Sequence, residues 1–178
     1  MRTPLSTSRI VFTLLLCGMT AVGLWYHRID HAMIWAGNKH QVDPLLLRAV
    51  GIQESRLNPK AKGAAGEIGM FQIMPNTAKH WARETNHPIP SEKELFRLKV
   101  NANISAWYLA EGLAEFSDKP DPLAYTLAHY NAGPTRVRKW ENEVPDGIPF
   151  VETIPFPSTR RYVTRILSTY RGSQDATP

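Results

Sequence analysis

Helix starts marked by proline constrain the fold of this chain more than any other feature of its sequence. From about residue 28 onward, apolar residues recur at helical spacing, and Pro, Gly and Asn separate the segments. Asp43 before Pro44 and Asp121 before Pro122 each place a side-chain acceptor ahead of a proline, which is a common way to begin a helix. The sequence therefore predicts an all-α domain.

The same local patterns predict where individual helices lie. Ser91 with Glu94 forms a capping box before a short turn of helix, and Asn76 is expected to cap another helix. The remaining expected helices are a first one around Ile29 to Ile34, then Pro44 to about Glu54, Ala102 to Phe116, Pro122 to Asn131, a short one ending at Trp140, and Ser158 to Tyr170.

The first 26 residues have the pattern of an export signal. Arg2 and Arg9 precede an uncharged apolar run over residues 10–26. At about 1.5 Å per residue this run would span roughly 25 Å, which is short for a permanent membrane helix. Small residues up to Gly23 favour cleavage slightly over retention. We therefore assign residues 1–26 to a signal peptide or signal anchor and residues 27–178 to one exported domain.

Cysteine, histidine and charge exclude several kinds of protein. The only cysteine, Cys17, lies in the apolar run, and the six histidines form no cluster with carboxylates at metal-ligand spacing. We expect neither a metal nor a cofactor. The net charge of +5 is mild, and no run of Lys and Arg is interleaved with aromatic residues. Nucleic acid is not an expected partner.

Glu54 is the strongest catalytic candidate. Residues 45–52 are apolar on most faces, which predicts a buried helix with Glu54 and Ser55 at its C-terminal end. Burial and the negative end of the helix dipole both raise the pKa of a carboxyl group, and a glutamate that stays protonated near neutral pH is a general acid. Position alone favours a structural role, in which Glu54 caps the helix or pairs with an arginine.

A glycine-rich loop follows this helix. Gly63, Gly66 and Gly69 lie within the segment 59–75, together with several alanines. Such small residues predict a tight turn in which the backbone approaches a ligand or another element closely. We interpret Gly66 and Gly69 as positions where the backbone approaches a ligand closely.

Two ordered motifs carry a specific resemblance. They are ESRLNPKAKGAAGEIGMFQIMPNTA, which starts at Glu54, and AHYNAGP, which starts at Ala128. Over residues 28–171 the chain resembles the lysozyme-like domain of soluble lytic transglycosylases, which is related in fold to goose-type lysozyme. The resemblance implies a lysozyme-like all-α fold with a small glycine-rich loop or hairpin beside the catalytic helix. Asn101 with Tyr108-Leu109, Glu152-Thr153-Ile154-Pro155, and Thr159-Arg160-x-Tyr162-Val163 resemble further motifs of the family.

The resemblance also implies roles for individual residues. Glu54 corresponds to the catalytic acid and base. Gln72 offers a donor and an acceptor, Phe71 and Met74 offer apolar surface, and Tyr130 offers a hydroxyl near the carboxyl group. Phe71 and Met74 are equally compatible with a place in the core, and Tyr130 with simple packing. The expected substrate-binding residues are thus Phe71, Gln72, Met74 and Tyr130, and the expected supporting residues are Ser55, Gly69, Asn131 and Glu152.

The chain departs from the family pattern at three positions. Gly63 stands where the family usually has serine, so a hydroxyl group at the site is missing. Ser158 stands where the family usually has glutamate. Glu67 occupies a position that the family usually fills with a small residue, and we did not assign it as a second catalytic carboxylate.

The resemblance implies cleavage of the β-1,4 bond between N-acetylmuramic acid and N-acetylglucosamine, with a 1,6-anhydromuramyl product. Two alternatives remain: a muramidase in which water attacks, and a non-catalytic peptidoglycan-binding component of an envelope-spanning secretion or conjugation machine. The expected partners are peptidoglycan glycan strands and, as a further candidate, proteins of such a machine. The expected location is the periplasm, with membrane contact only through the N-terminal segment.

Overall fold

In this computed structural model the backbone is described for residues 7–176 and the side chains for residues 23–176. Within the described backbone the secondary structure consists of nine helices and two isolated β-bridges, which confirms the all-α prediction. The helices are α1 (Thr7–His40), α2 (Pro44–Ser55), α3 (Pro75–Glu84), α4 (Glu92–Leu95), α5 (Leu98–Glu115), α6 (Pro122–Ala132), α7 (Pro134–Glu141), α8 (Phe150–Thr153) and α9 (Pro157–Asp175).

Most of the predicted helix starts are confirmed. The Asp43 side chain accepts a hydrogen bond from Leu45 N at the start of α2, and Asp121 caps α6 in the same way. The capping box at the start of α4 is also present. The prediction that Asn76 caps a helix is wrong: α3 begins at Pro75, because proline supplies a fixed φ and needs no partner for an N–H.

Two helices are longer than the sequence predicted. The central helix α5 begins at Leu98, before the expected start at Ala102, and α9 continues to Asp175. The first helix runs without a break from Thr7 to His40, so the predicted boundary at residue 26 falls inside it.

The export-signal prediction concerns residues 1–26, and of these only Gly23 to Tyr26 have described side chains. That prediction therefore lies outside the described side chains. None of the helices in the described part of the chain combines the length and the hydropathy needed to cross a membrane.

The helix α5 forms the centre of the domain. It packs against α1, α6, α3 and α4, while α9 packs across α2 and α6. Small buried residues on α5, among them Ala102, Ser105 and Ala106, let the surrounding helices approach closely. This arrangement brings the C-terminal end of α2 and one face of α9 together at the edge of the core.

The loop between α2 and α3 is held against α5 by Asn101. Its Oδ1 accepts a hydrogen bond from Phe71 N at 2.8 Å, and its Nδ2 donates to the carbonyl oxygens of Ile68 and Leu95 at 2.8 and 3.0 Å. Isolated bridges pair Ile68 with both Lys62 and Ile73. The expected glycine-rich loop or hairpin beside the catalytic helix is therefore present.

Gly69 serves this packing. Its φ is +79°, and a Cβ at this position would lie 2.6 Å from Asn101 Nδ2 and 2.9 Å from the Leu95 carbonyl oxygen. The space beside Gly69 is thus filled by neighbouring elements and is not left for a sugar ring, which corrects our interpretation from the sequence. Glycine is required here by both the backbone conformation and the closeness of Asn101.

Candidate active site

Glu54 lies in the last turn of α2, half-buried, and faces α9. The hydroxyl group of Tyr162 donates a hydrogen bond to Glu54 Oε1 at 2.6 Å. The helix ends at Ser55, and the next residue, Arg56, takes a left-handed conformation with φ of +56°. The carboxyl group is therefore fixed by a side chain that is 108 residues away in sequence.

Ser55 ties the end of α2 to the loop. Its Oγ donates to the Met70 carbonyl oxygen at 2.7 Å and accepts from Asn58 N at 3.0 Å. These contacts join the helix that carries Glu54 to the segment that carries Gln72, and the supporting role of Ser55 stays a prediction.

Three influences set the protonation of Glu54. Burial raises its pKa to about 7, the hydrogen bond from Tyr162 opposes the rise, and the negative charge of Glu67 adds to it. A carboxyl group with a pKa near neutrality exists in both forms at physiological pH, so it is able to give a proton and to take one back.

Two tyrosines contribute hydroxyl groups to the site, the buried Tyr162 and the partly buried Tyr130. The Tyr130 hydroxyl lies 3.0 Å from both the Phe71 carbonyl oxygen and Ser105 Oγ. Burial and the charge of Glu54 raise the pKa of Tyr130 and of Tyr162 well above the ordinary value. Both hydroxyl groups therefore stay neutral donors, one bonded to the loop and the other to Glu54.

The residues expected to bind substrate divide into exposed and buried ones. Met74 is 37% exposed at the start of α3, and Gln72 is half-buried with its Nε2 donating to the Gly69 carbonyl oxygen at 2.9 Å. Phe71 is 0% exposed and packs in the core. The expectation that its ring offers surface to a sugar is corrected: its carbonyl oxygen contacts Tyr130, but its side chain contacts only the protein interior.

Of the other supporting residues, Asn131 joins two helices and Glu152 stands apart. Asn131 Oδ1 accepts a hydrogen bond from Thr159 Oγ1 at 2.8 Å, which links the end of α6 to the start of α9. Glu152 is exposed on α8, and its carboxylate makes no hydrogen bond or ion pair with the described residues. The structure thus brings Asn131, but not Glu152, into the framework that positions Tyr162.

Two residues of the site were not assigned from the sequence. Tyr162 belongs to the C-terminal motif, but nothing in that motif indicates contact with Glu54. Glu67 stands at a position that the family usually fills with a small residue, so the family motif assigns it no role, although a lone carboxylate in a glycine-rich loop is itself a signal. Within the described part of the chain, no group of three or more His, Cys, Asp or Glu side chains could hold a metal ion.

Comparison with known proteins identifies the family. The model of the transglycosylase SLT domain matches residues 31–148. The chain belongs to the transglycosylase SLT domain family. Tyr162 lies beyond the matched residues, so its place in the site comes from the fold.

Named relatives of this SLT domain are lytic murein transglycosylases. It is 39% identical over 124 residues to the soluble lytic murein transglycosylase of Escherichia coli K12, a match that covers 67% of this chain and 19% of that protein. It is 35% identical over 75 residues to the membrane-bound lytic murein transglycosylase E of Buchnera aphidicola, covering 41% of this chain and 34% of that protein. The chain thus spans about a fifth of the length of the soluble relative.

Solved structures confirm the lysozyme-like helical fold. The 70-kDa soluble lytic transglycosylase of Escherichia coli superposes with a TM-score of 0.73 at 33% identity, covering 82% of this chain and 24% of that one. An inactive Glu-to-Gln variant of the lytic transglycosylase Slt of Pseudomonas aeruginosa superposes with a TM-score of 0.71 at 30% identity, covering 83% and 24%.

Proposed function

We propose that this SLT domain cleaves the β-1,4 bond between N-acetylmuramic acid and N-acetylglucosamine in peptidoglycan and releases 1,6-anhydromuramyl products. The observation that carries the proposal is the setting of Glu54, a half-buried carboxyl group with a pKa of about 7 that is held by the Tyr162 hydroxyl. The names of the relatives, lytic murein transglycosylases, support the same reaction.

In this mechanism Glu54 acts twice. Its protonated form gives a proton to the glycosidic oxygen as the bond to the muramyl C1 breaks. The resulting carboxylate takes the proton of the muramyl C6 hydroxyl, whose oxygen bonds to C1, so no water is consumed. Tyr162 stabilises the carboxylate between the two steps, because its hydroxyl donates to Oε1.

Gln72, Met74 and Tyr130 are the proposed contacts of the glycan. Gln72 and Met74 remain accessible on the loop and at the start of α3. Tyr130 holds the loop in place, because its hydroxyl donates a hydrogen bond to the Phe71 carbonyl oxygen. No cofactor takes part in the proposed steps, since one carboxyl group supplies and recovers the proton.

The proposed location is the cell envelope, with the domain in the periplasm. Relatives with the names soluble and membrane-bound murein transglycosylase support an envelope location. Export through the N-terminal segment, membrane contact through that segment alone, and association with an envelope-spanning machine remain predictions from the sequence.

Hydrolysis is a second candidate, which one observation favours. Enzymes that hydrolyse glycosides commonly use two carboxyl groups, and the charge of Glu67 acts on Glu54. A second carboxylate at the site would be able to accept a proton from an attacking water molecule. The identity of the reducing end separates the two reactions.

The test is digestion of purified sacculi with the full chain, followed by mass spectrometry of the products. We expect 1,6-anhydro ends from the wild type and a loss of about 10²- to 10⁴-fold in Glu54→Gln, the range typical of general acid–base catalysis. Glu143→Gln, which removes an exposed carboxylate in the segment after α7 that acts on neither Glu54 nor Tyr162, is the matched control.

Hydrated reducing ends would replace the proposal with hydrolysis. Binding of sacculi by the wild type without any cleavage product would instead indicate the non-catalytic envelope component.

A further inference from the structure

Gly63 and Glu67, two departures from the family pattern, meet in space. A Cβ on residue 63 would lie 2.1 Å from Glu67 Oε2 and 2.7 Å from its carboxyl carbon. These distances are shorter than any real contact of a Cβ atom. A side chain at residue 63 and the present position of the Glu67 carboxylate therefore exclude each other.

The backbone of the loop holds the Glu67 carboxylate in this place. Ala65 N–H donates to Glu67 Oε2 at 3.0 Å, and Gly63 N–H donates to the Glu67 carbonyl oxygen at 2.8 Å. Gly66, with φ of +95°, makes the turn between them. The carboxylate is half-buried in a position that the loop itself defines.

From this position the Glu67 carboxylate borders Gln72, one of the proposed contacts of the glycan. The Gln72 side-chain oxygen lies 2.9 Å from the position that a Cβ on residue 63 would occupy. The Gln72 amide and the Glu67 carboxylate therefore border the same space beside Gly63. Tyr162 from α9 and Glu67 from the loop both act on Glu54. The Tyr162 hydroxyl is neutral, so Glu67 is the charged group of the two.

We propose that Glu67 is a positioning residue of this active site: its carboxylate, seated in the space that Gly63 leaves open and bordering the Gln72 amide, supplies the negative charge that faces Glu54 from the loop. The inference rests on the proposed function, since it assigns a role in the same reaction. Glu67 touches neither the glycosidic oxygen nor the proton in flight; it acts through Glu54.

The sign of the effect follows from the electrostatics. A negative neighbour disfavours a second negative charge, so Glu67 raises the pKa of Glu54. The Tyr162 hydrogen bond stabilises the carboxylate and lowers the same pKa. Removing the two groups one at a time therefore moves the protonation of Glu54 in opposite directions.

The first experiment compares Glu67→Gln with Tyr162→Phe. Glutamine keeps the shape of Glu67 and an acceptor for Ala65 N–H but removes the charge. The alkaline limb of kcat/KM, which reports loss of the proton from Glu54, is expected to move to lower pH in Glu67→Gln and to higher pH in Tyr162→Phe. Above the limb, kcat/KM of Glu67→Gln is expected to fall by up to about tenfold. Glu143→Gln is expected to leave the limb in place.

The same shift is measurable without any activity. The carboxyl ¹³C resonance of Glu54 titrates with its protonation, and in Glu67→Gln it is expected to titrate at lower pH than in the wild type. An unmoved titration overturns the inference. If the titration moves but the wild type releases no anhydro product, the proposed reaction is wrong while the role of Glu67 stands.

The second experiment tests the exclusion between residues 63 and 67. Gly63→Ser alone is expected to displace the Glu67 carboxylate and to lower kcat/KM. Gly63→Ser combined with Glu67→Ala is expected to have the same kcat/KM as Glu67→Ala alone, because the carboxylate that the new side chain would displace is then already absent. Effects that simply add in the double variant would contradict the proposed sharing of one space.

Discussion

Asn101 on α5 and His129 on α6 are both buried polar side chains, 1% and 2% exposed, yet their surroundings differ completely. Asn101 makes three hydrogen bonds to backbone groups, two of them in the active-site loop. Neither ring nitrogen of His129 has a hydrogen-bond partner among the described residues, and Glu115 Oε2 is 3.8 Å from Nδ1. The buried amide of Asn101 thus holds the loop of the site in place, whereas the buried ring of His129 destabilises the fold because its nitrogens have no partners.

The cost at His129 is visible in its protonation. Its ring lies edge-on to Tyr108 and Phe116, with ring centroids 4.8 and 5.9 Å apart. Burial lowers the pKa of His129 to about 4, and the carboxylate of Glu115 only partly opposes this. A buried polar group therefore stabilises the fold where hydrogen-bond partners satisfy it and destabilises it where they do not. For a titratable group such as His129, the destabilisation depends on pH.

Asn101→Ala should break the first region and have the largest effect. Its loss leaves Phe71 N–H and the Leu95 carbonyl oxygen without partners, while the Ile68 carbonyl oxygen keeps its bond from Ile73 N–H. We therefore expect the free energy of unfolding to fall by about 2 to 4 kcal/mol. Activity should fall too, because the loop that carries Gln72 loses its attachment. Urea denaturation measures the first effect and sacculus digestion the second.

Asn103→Ala is the matched control for that change. Asn103 lies on the same helix but bonds to the side chains of Lys39 and His40 at its edge. We expect a smaller loss of about 1 kcal/mol, since water can replace those partners. Equal losses in the two variants would contradict the special role of Asn101.

His129→Leu should remove the destabilisation caused by the buried, unpartnered imidazole. The folded-state pKa of about 4 lies below the ordinary histidine pKa of 6.5, so the unfolded state binds the proton more tightly. The free energy of unfolding that is linked to His129 is therefore fully present above pH 6.5 and decreases as the pH falls toward 4. Leucine has no such dependence and should be about 2 kcal/mol more stable than the wild type at pH 5.

At pH 7 the two proteins should differ in the free energy of unfolding by less than about 1 kcal/mol, because leucine fills a similar volume. Urea denaturation at both pH values provides the comparison. A difference that is the same at pH 5 and pH 7 would show that His129 does not titrate as its burial implies.

Tyr130→Phe should have the smallest effect and separates the two regions. Its ring lies against Tyr108, which in turn contacts His129, while its hydroxyl bonds to the loop. Phenylalanine keeps the ring and loses the hydroxyl, so we expect a loss of about 1 kcal/mol that is equal at pH 5 and pH 7. Thermal unfolding at both pH values measures it, and a loss confined to low pH would mean that the two regions are coupled through this ring.

Much of the fold could be predicted from local sequence. Asp43, Asp121 and the capping box at Ser91 form contacts within three residues, and all were predicted correctly. The prediction that Asn76 caps a helix was wrong, because the neighbouring Pro75 is an equally good first residue for the helix. The unbroken course of α1 was missed because a change of composition near residue 26 suggested a boundary where the helix continues.

The candidate site was only partly predictable. The sequence pointed to Glu54 and to Ser55, since both belong to one ordered motif. Phe71 and Met74 could not be told apart, because the same type of side chain in a loop faces either the core or solvent. Their difference in exposure, 0% against 37%, depends on how Asn101 holds the loop.

The sequence by itself determined the all-α class, most of the helix starts and the residue that carries the proposed chemistry, because these depend on neighbours along the chain or on a motif. Only the tertiary structure decided that Tyr162 holds Glu54, that Gly63 leaves room for Glu67, and that burial brings the carboxyl pKa to about 7. Desolvation and contacts between distant segments arise when helices pack, so the short-range pattern of a sequence does not contain them.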